Sequence, residues 1–465
     1  MHSPARPDPR SNLFFDPELI RKYDQFGPRY TSYPTADRFN ETFRAEDLVT
    51  ALLARKARPL SLYVHLPFCD TICYYCACNK VITKDRGRAE KYVRYLGREI
   101  AMVARLLEAS SPVKQLHWGG GTPTFLAPEE MTALMEMLHS AFAFTPDAEI
   151  SIEVDPRKAD EETIALLGRL GFNRISVGVQ DFDPEVQRAV NRVQSEAETR
   201  SVIDAARAKG FRSVNVDLIY GLPRQTVQAF GVTLDKVIAA APDRIALYSY
   251  AHVPHLFRPQ RRIDAAALPS AEEKLAILDL SIAKLGAAGY VYIGMDHFAK
   301  PQDELAIAQR KGKLHRNFQG YSTHGDCDLL AFGISAIGSI GNCYTQNVKT
   351  LDEYYARLEA QMLPVLRGVT LDGDDLLRRD VIQRLMCDFA LDSDAIEAAY
   401  NIQFGEYFGT EVEALRTLAA DGLVELFPAR IQVTRRGRLL VRTVAMVFDR
   451  HLREQRERAR YSRVI

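Results

Sequence analysis

The sequence has no charge imbalance: its 465 residues carry 60 Lys and Arg against 60 Asp and Glu. A balanced chain has no bulk field to draw it to nucleic acid or to an anionic membrane, and neither partner is expected. No apolar run approaches the ~18 residues that would suggest a membrane span. The opening stretch, Met1-His-Ser-Pro-Ala-Arg-Pro-Asp-Pro-Arg10, lacks the apolar core of a secretion signal and reads as a mobile tail. No heptad and no long exposed apolar stripe calls for a partner chain, so a monomer is expected. The seven cysteines are an odd number, which disfavours a disulfide framework. Free thiols suit a reducing cytoplasm.

What is present is a dense cysteine loop. Tyr63-Val-His-Leu-Pro-Phe-Cys69-Asp-Thr-Ile-Cys73-Tyr-Tyr-Cys76-Ala-Cys78-Asn-Lys80 places four cysteines within ten residues, directly after a strand-like apolar run. Cys69, Cys73 and Cys76 form a C-x3-C-x2-C triplet. Three thiolates suit a cubane iron–sulfur cluster with one iron left open to a small ligand, as catalytic metal sites leave a position open. A zinc site on Cys69, Cys73, Cys76 and Cys78 is the weaker reading, because zinc ligands usually come in two separated pairs.

Short β-branched runs recur with helical spacing between them. Strands are expected at 61–66, 115–118, 149–154, 174–179, 213–219 and 244–250, and helices at 90–107, 129–142, 161–170, 196–208 and 227–240. Strand, helix, strand in succession demands parallel pairing with right-handed crossovers. Leu170-Gly-Phe172, Lys209-Gly-Phe211 and Ala288-Gly-Tyr290 each offer a glycine helix stop before the next strand. The fold class expected is α/β, an open partial (β/α)6 barrel with an N-terminal arm over 1–50 and a barrel over 51–365. Residues 366–465 read as a mostly helical, winged-helix-like domain, with helices at 375–389, 404–420 and 437–452 and a hairpin around Pro428-Ala429. Arg435, Arg436, Arg438 and the Arg450–Arg463 stretch could meet DNA, but read better as a solvated basic surface.

Ligands gather at the carboxyl ends of strands in such folds, and the unusual residues cluster there. Cys69 follows the first strand and Gly119-Gly-Gly-Thr122 the second, where glycines let backbone approach a ligand. Glu153 and Asp155 close the third, Gln180 the fourth, Asp217 lies late in the fifth, and Tyr250-Ala-His252 closes the sixth. His252, His255, His297, His315 and His324 read as polar loop residues, and Cys327, Cys343 and Cys387 as inert. Arg29, Arg192 and Arg316 are candidates to clamp carboxylates.

The cysteine spacing is that of the radical S-adenosylmethionine (SAM) superfamily. Pro28-Arg-Tyr-Thr-Ser-Tyr-Pro-Thr35, Leu116-His-Trp-Gly-Gly-Gly-Thr-Pro-Thr124, Ile150-Ser-Ile-Glu-Val-Asp-Pro156, Val177-Gly-Val-Gln-Asp181, Asp217-Leu-Ile-Tyr-Gly-Leu-Pro223 and Ser462-Arg-Val-Ile465 narrow this further. Together they resemble the oxygen-independent coproporphyrinogen III oxidases. The resemblance implies oxidative decarboxylation of two propionates of coproporphyrinogen III to vinyl groups, giving protoporphyrinogen IX in haem synthesis through a 5′-deoxyadenosyl radical. It implies a [4Fe–4S] cluster on Cys69, Cys73 and Cys76, two SAM molecules and a low-potential electron donor. By matching motifs, Tyr63, Gly120, Glu153 and Ile337 would contact the cluster-bound SAM. Tyr75, Gly121, Thr122, Gln180, Arg192, Asp217 and Ala251 would contact the second. Cys78 matches a fourth family cysteine near the site that is not a cluster ligand. The rival readings are a haem chaperone of the same superfamily, disfavoured by Cys78 and the Arg-Tyr-Thr-Ser-Tyr-Pro motif, and a cluster-containing DNA-binding regulator.

Overall fold

The computed structural model describes residues 13–107, 111–454 and 463. The proline-rich opening, most of the Arg450–Arg463 stretch and the terminal Ser462-Arg-Val-Ile465 other than Arg463 lie outside the described residues.

All six expected strands form and pair in parallel in chain order. They are β1 (Leu60–Leu66), β2 (Val113–Gly120), β3 (Phe144–Val154), β4 (Arg174–Gln180), β5 (Ser213–Tyr220) and β6 (Arg244–Ser249). Burial on both faces of β1, at six of its seven residues, is what a parallel sheet flanked by helices requires. The crossovers are α1 (Gly87–Ala104), α2 (Pro128–Ala141), α3 (Glu161–Arg169), α4 (Glu196–Ala208) and α5 (Val227–Ala240), with α6 (Ala271–Ala287) after β6. The glycine repeat is a repeated helix stop. Gly171, Gly210 and Gly289 have φ of +91°, +79° and +86° at the ends of α3, α4 and α6. The next residues, Phe172, Phe211 and Tyr290, donate back to Leu167, Ala206 and Leu285 carbonyls at 3.0 Å. This six-to-one bond satisfies a last-turn carbonyl while the left-handed glycine redirects the chain into the next strand.

Six further strands extend the sheet: β7 (Val291–Gly294), β8 (His297–Ala299), β9 (Asp328–Phe332), β10 (Ile337–Ile340), β11 (Cys343–Asn347) and β12 (Val365–Thr370). The order is β12-β11-β10-β9-β1-β2-β3-β4-β5-β6-β8-β7. β12 and β7 are its edges and do not pair with each other, so the barrel is open, and Asn40 of the arm bridges the β12 edge at Gly368. β9 runs parallel to β1 and adds a seventh parallel strand to the six expected, while the other additions pair antiparallel. Residue 51 falls inside the helix Ala45–Ala54 and residue 366 inside β12, so neither lies in a linker.

Beyond β12, the helices Gly373–Asp388, Ser393–Tyr400 and Gly409–Ala420 precede the expected hairpin, Val424–Phe427 with Arg430–Val433, which Ala390–Asp392 joins as a third strand. Two expected helices are broken. The one over 404–420 is interrupted at Phe408. The one over 437–452 ends at Met446 and restarts at Arg450. Asp449 Oδ1 accepts from the N–H groups of His451 and Leu452 at 2.9 and 3.2 Å, and so caps a new turn. Of the arginines expected as a solvated surface, Arg436 is exposed and pairs with Asp16 at 3.1 Å, while Arg438 is half-buried 4.8 Å over Phe389.

The arm folds back onto this module. Tyr30 OH donates to Asp449 Oδ2 at 3.0 Å, Arg442 Nε to the Pro28 carbonyl at 2.9 Å, and the Arg450 N–H to Tyr33 OH at 3.2 Å. Arm and module together roof the end of β5 and β6. Among the described residues no helix is long and apolar enough to cross a membrane.

Candidate active site

The cysteine loop leaves β1 through a two-residue strand, Phe68–Cys69, which pairs in parallel with Val81–Ile82 on the loop's far side. The Val81 N–H donates to the Pro67 carbonyl at 2.8 Å and the Thr83 N–H to the Cys69 carbonyl at 3.0 Å, so the loop is pinned at its base. Cys69, Cys73, Cys76 and Cys78 all carry free thiols. They line one cavity of about 180 Å³ together with Tyr75, Gly120, Gly121, Thr122, Glu153, Gln180, Arg192 and Asp217.

Three of the expected residues stand off this cavity. Tyr63 stacks on His117 with ring centroids 5.9 Å apart and shares a 3.1 Å hydrogen bond with His65 Nδ1. Ala251 is one side chain away: Gln260 Nε2 donates both to its carbonyl and to that of Tyr75, each at 3.2 Å. Ile337 opens β10 and packs with Phe39 and Tyr344.

The glycine run is required by a close approach. Gly120 has a φ of +114°, and a Cβ on Gly121 would stand 2.6 Å from the Pro67 carbonyl carbon. The freed backbone binds the cysteine loop directly, with Gly121 N–H to the Leu66 carbonyl and Thr122 N–H to the Phe68 carbonyl, both 2.8 Å. Glu153 accepts from the Gly120 N–H at 3.0 Å. Burial pushes its carboxyl up, but His117 and the Gly120 N–H outweigh burial and hold it below the usual range. Asp217 moves the other way. Burial raises it to about 6, Glu153 adding to the effect and the Ser176 hydroxyl opposing it. Gln180, ending β4, holds a left-handed φ of +65°, a conformation that costs a non-glycine residue and is common at functional sites.

Cations converge on the sulfurs. Arg192 Nη1 lies 3.0 Å from Asp155 Oδ2 and 3.6 Å from Cys73 Sγ, while its buried Nε has no hydrogen-bond partner. Arg157 Nη2 lies 2.6 Å from Asp155 Oδ2 and 3.9 Å from Cys73 Sγ, and Lys80 Nζ donates to the Cys76 and Cys78 carbonyls at 3.1 and 3.2 Å. Arg157 and Lys80 escaped sequence reasoning, since a single basic residue after Asp155-Pro156 or after Cys78-Asn79 carries no signal without the fold. Cysteines with three cations beside them, and a buried donor still unsatisfied, fit an anionic group held through the sulfurs.

A second cavity of about 420 Å³ opens where β5 and β6 end, beneath the arm and the C-terminal module. Its apolar wall includes Leu247, Leu278, Met295 and Phe298, and its polar rim includes Arg29, His252, His255, Lys274, Asp296 and Arg442. Arg29 forms an ion pair with Asp296. Burial lowers the Arg29 guanidinium to about 10, and the neighbouring Arg316 repels it further. Arg316, 3% exposed, donates through Nε to the Arg29 carbonyl at 3.3 Å and leaves its buried Nη1 without a partner. Arg29 and Arg316 thus meet, although Arg316 lines a neighbouring cavity with Thr31 and His315, whereas Arg192 serves the cysteine cavity.

Comparison with known proteins agrees with this geometry. Residues 63–237 match the Radical SAM superfamily and 371–440 the HemN C-terminal domain. An oxygen-independent coproporphyrinogen III oxidase of Pseudomonas aeruginosa is 53% identical over 455 residues, covering 97% of this chain and 99% of its own. The chain belongs to the oxygen-independent coproporphyrinogen III oxidase family. The family member of Escherichia coli is 50% identical over 451 residues, covering 97% of this chain and 98% of its own. The solved structure of coproporphyrinogen III oxidase (HemN) from Escherichia coli, described as a radical SAM enzyme, superposes with a TM-score of 0.92 at 49% identity. That match covers 95% of this chain and 100% of the other.

The remaining candidates take their places within this family frame. His252 and His255 rim the second cavity, and His252 Nδ1 is bonded to Tyr250 OH at 2.9 Å. His297 stacks edge-on between Tyr248 and Tyr321. Cys343 and Cys387 are buried away from the site. Cys327 stands with His324 and Asp326, their ligand atoms within 4.8 Å, but the Lys114 ammonium already holds Asp326 at 2.7 Å.

Proposed function

We propose that this chain converts coproporphyrinogen III to protoporphyrinogen IX without oxygen, with the cysteine cavity as its radical centre and the arginine-rimmed cavity as its substrate site. From each of two propionates a hydrogen atom, one electron and carbon dioxide leave, and a vinyl group remains. The observation that carries the reading is the convergence in one cavity of Cys69, Cys73 and Cys76 with Gly120, Gly121 and Glu153 at the carboxyl ends of parallel strands.

In this reading the three thiolates hold a [4Fe–4S] cluster, with Arg157, Arg192 and Lys80 offsetting its negative charge. When bound, the cluster and SAM supply the one-electron chemistry that removes hydrogen from the propionate. Tyr63, Gly120, Glu153 and Ile337 contact the cluster-bound SAM. Tyr75, Gly121, Thr122, Gln180, Arg192, Asp217 and Ala251 contact the second. The Gln260 bridge between Tyr75 and Ala251 supports placing those two residues around one ligand. Arg29 and Arg316 bind substrate carboxylates while Leu247, Met295 and Phe298 face the tetrapyrrole. The roof of arm and module excludes water from a reactive centre. A low-potential donor supplies electrons to a cytoplasmic monomer.

The test is an anaerobic assay of cluster-reconstituted protein with SAM, a strong reductant and coproporphyrinogen III, with Cys73→Ser as control. Protoporphyrinogen and 5′-deoxyadenosine are expected together and are expected to vanish in the control. 5′-Deoxyadenosine without protoporphyrinogen would keep the radical centre and overturn the substrate. Neither product from protein with an intact cluster would overturn the reading entirely.

A further inference from the structure

The chain is electrically neutral as a whole, yet the surface beside the cysteine loop is not. Between residues 84 and 98 the exposed side chains are Lys84, Arg86, Arg88, Lys91, Arg94 and Arg98 against only Asp85 and Glu90. This basic stretch starts two residues after Ile82, a large apolar side chain that is 41% exposed. Ile82 is the strand partner of Cys69. Paired strands lie about 4.8 Å apart, so the Ile82 backbone is one strand spacing from that of a cysteine of the site.

The cations are also tied to the loop from its other side. Asp70, next to Cys69, is bracketed by Arg86 at 3.5 Å and Lys158 at 2.9 Å. Arg86 is held in place by Phe125, over whose ring its guanidinium lies at 3.8 Å. An exposed apolar centre with a basic rim, one strand from a cysteine, is the pattern of a small, charge-steered and short-lived interface.

We infer that this face, centred on Ile82 and rimmed by Lys84, Arg86, Arg88 and Lys158, docks a small acidic one-electron carrier protein of low potential. The inference rests on the reading that Cys69, Cys73 and Cys76 hold a reducible cluster. The step is one electron from the reduced carrier to the oxidised cluster, leaving the carrier oxidised by one electron, with no bond made and no proton moved. Acidic charge on the carrier is what the rim selects. Steering by opposite charge raises encounter rates and weakens as salt screens it.

The experiment follows cluster bleaching in the holoenzyme by stopped flow, with either reduced flavodoxin, an acidic flavin protein, or dithionite as reductant. With flavodoxin, the wild-type rate should fall steeply from low to physiological ionic strength. The Lys84→Glu/Arg88→Glu variant should lose about tenfold or more of the low-salt rate. With dithionite, too small to need a docking face, wild type and variant should bleach equally, which also shows that the variant is folded and loaded. A salt-independent flavodoxin rate in wild type, or an unchanged rate in the variant, overturns the docking face while leaving the proposed function standing. Absence of bleaching by dithionite in wild type overturns the function and, with it, this inference.

Discussion

Arg192 and Asp155 form a buried ion pair at 3.0 Å that places a guanidinium 3.6 Å from Cys73 Sγ. Both side chains are under a tenth exposed, and Asp155 is held from the other side by Arg157 at 2.6 Å. Arg192 Nη2 also donates to the Gly178 carbonyl at 2.7 Å, which fixes the fork between β4 and the cysteine loop. A lysine offers one point charge and cannot make these contacts together. Arg192→Lys is therefore expected to cost about 1–3 kcal/mol of stability and to lower iron content per chain after reconstitution. Anaerobic thermal unfolding and iron analysis check it, and a variant matching wild type in both would exclude a charge-balancing role for Arg192.

Gly121 offers a steric test of the same site. An added Cβ would meet the Pro67 carbonyl carbon at 2.6 Å and the Phe68 carbonyl oxygen at 2.7 Å, both backbone atoms that cannot rotate away. Gly121→Ala must part the glycine loop from the cysteine loop and break the 2.8 Å bond to Leu66. Overpacking of this kind costs about 1–3 kcal/mol. SAM binding by calorimetry on the loaded enzyme should weaken by about tenfold or more, each tenfold being 1.4 kcal/mol. Unchanged affinity would mean that the loop tolerates displacement.

The parts of this molecule that sequence made legible are those where one local rule decides. β1 to β6 announce themselves because each carries a short apolar run, near-continuous in β1 and alternating in β3 to β5, and the three glycine stops because only glycine sits easily at positive φ. The Cys69–Cys78 loop is legible because four thiols in ten residues have few uses. β7 to β12 are three to six residues long, too short for a periodicity to mark them, and four of the six are further interrupted by glycine, serine or asparagine. The helix expected over 437–452 failed because Asp449 caps a new turn and bonds Tyr30, some four hundred residues away, a contact no local pattern contains. Arg157 and Lys80 were illegible for the same reason: their meaning lies in what the fold brings beside them.

Glu99 carries a pH dependence. It is 2% exposed on α1 and accepts from Tyr354 OH at 2.6 Å, Asn347 Nδ2 at 2.7 Å and the Gly333 N–H at 2.8 Å. Burial raises its carboxyl from 4.5 to about 7, the three donors opposing but not cancelling it. The folded chain therefore binds this proton more tightly than the unfolded chain. Its contribution is fully present below about pH 4.5 and is lost as pH rises through about 7, a loss on the order of 3 kcal/mol. Denaturant midpoints from pH 5 to 8 should fall more steeply for wild type than for Glu99→Gln. Parallel slopes would show that Glu99 does not titrate in this window.

Arg316 separates a binding role from a structural one. Its guanidinium is buried over the Tyr321 ring at 4.8 Å, beside Arg29, with Nη1 left unsatisfied. Arg316 is a buried cation beside the partly exposed, Asp296-paired Arg29, and an unpaired donor costs folding free energy. Replacing Arg316 with an apolar residue of similar length should therefore leave the unliganded chain as stable as wild type or more so. A substrate carboxylate reverses the balance, since it supplies the missing acceptor and the missing negative charge. Hydrogen bonds to charged groups are worth about 1.5–3 kcal/mol, so Arg316→Met should weaken binding of coproporphyrin III, the stable oxidised form of the substrate, by tenfold or more. Arg29→Ala should weaken it similarly, although it also frees Asp296 from its ion pair. Fluorescence titration against thermal stability reads the two effects apart. Lost affinity with retained stability identifies a propionate site, whereas lost stability with unchanged affinity assigns Arg316 to the fold alone.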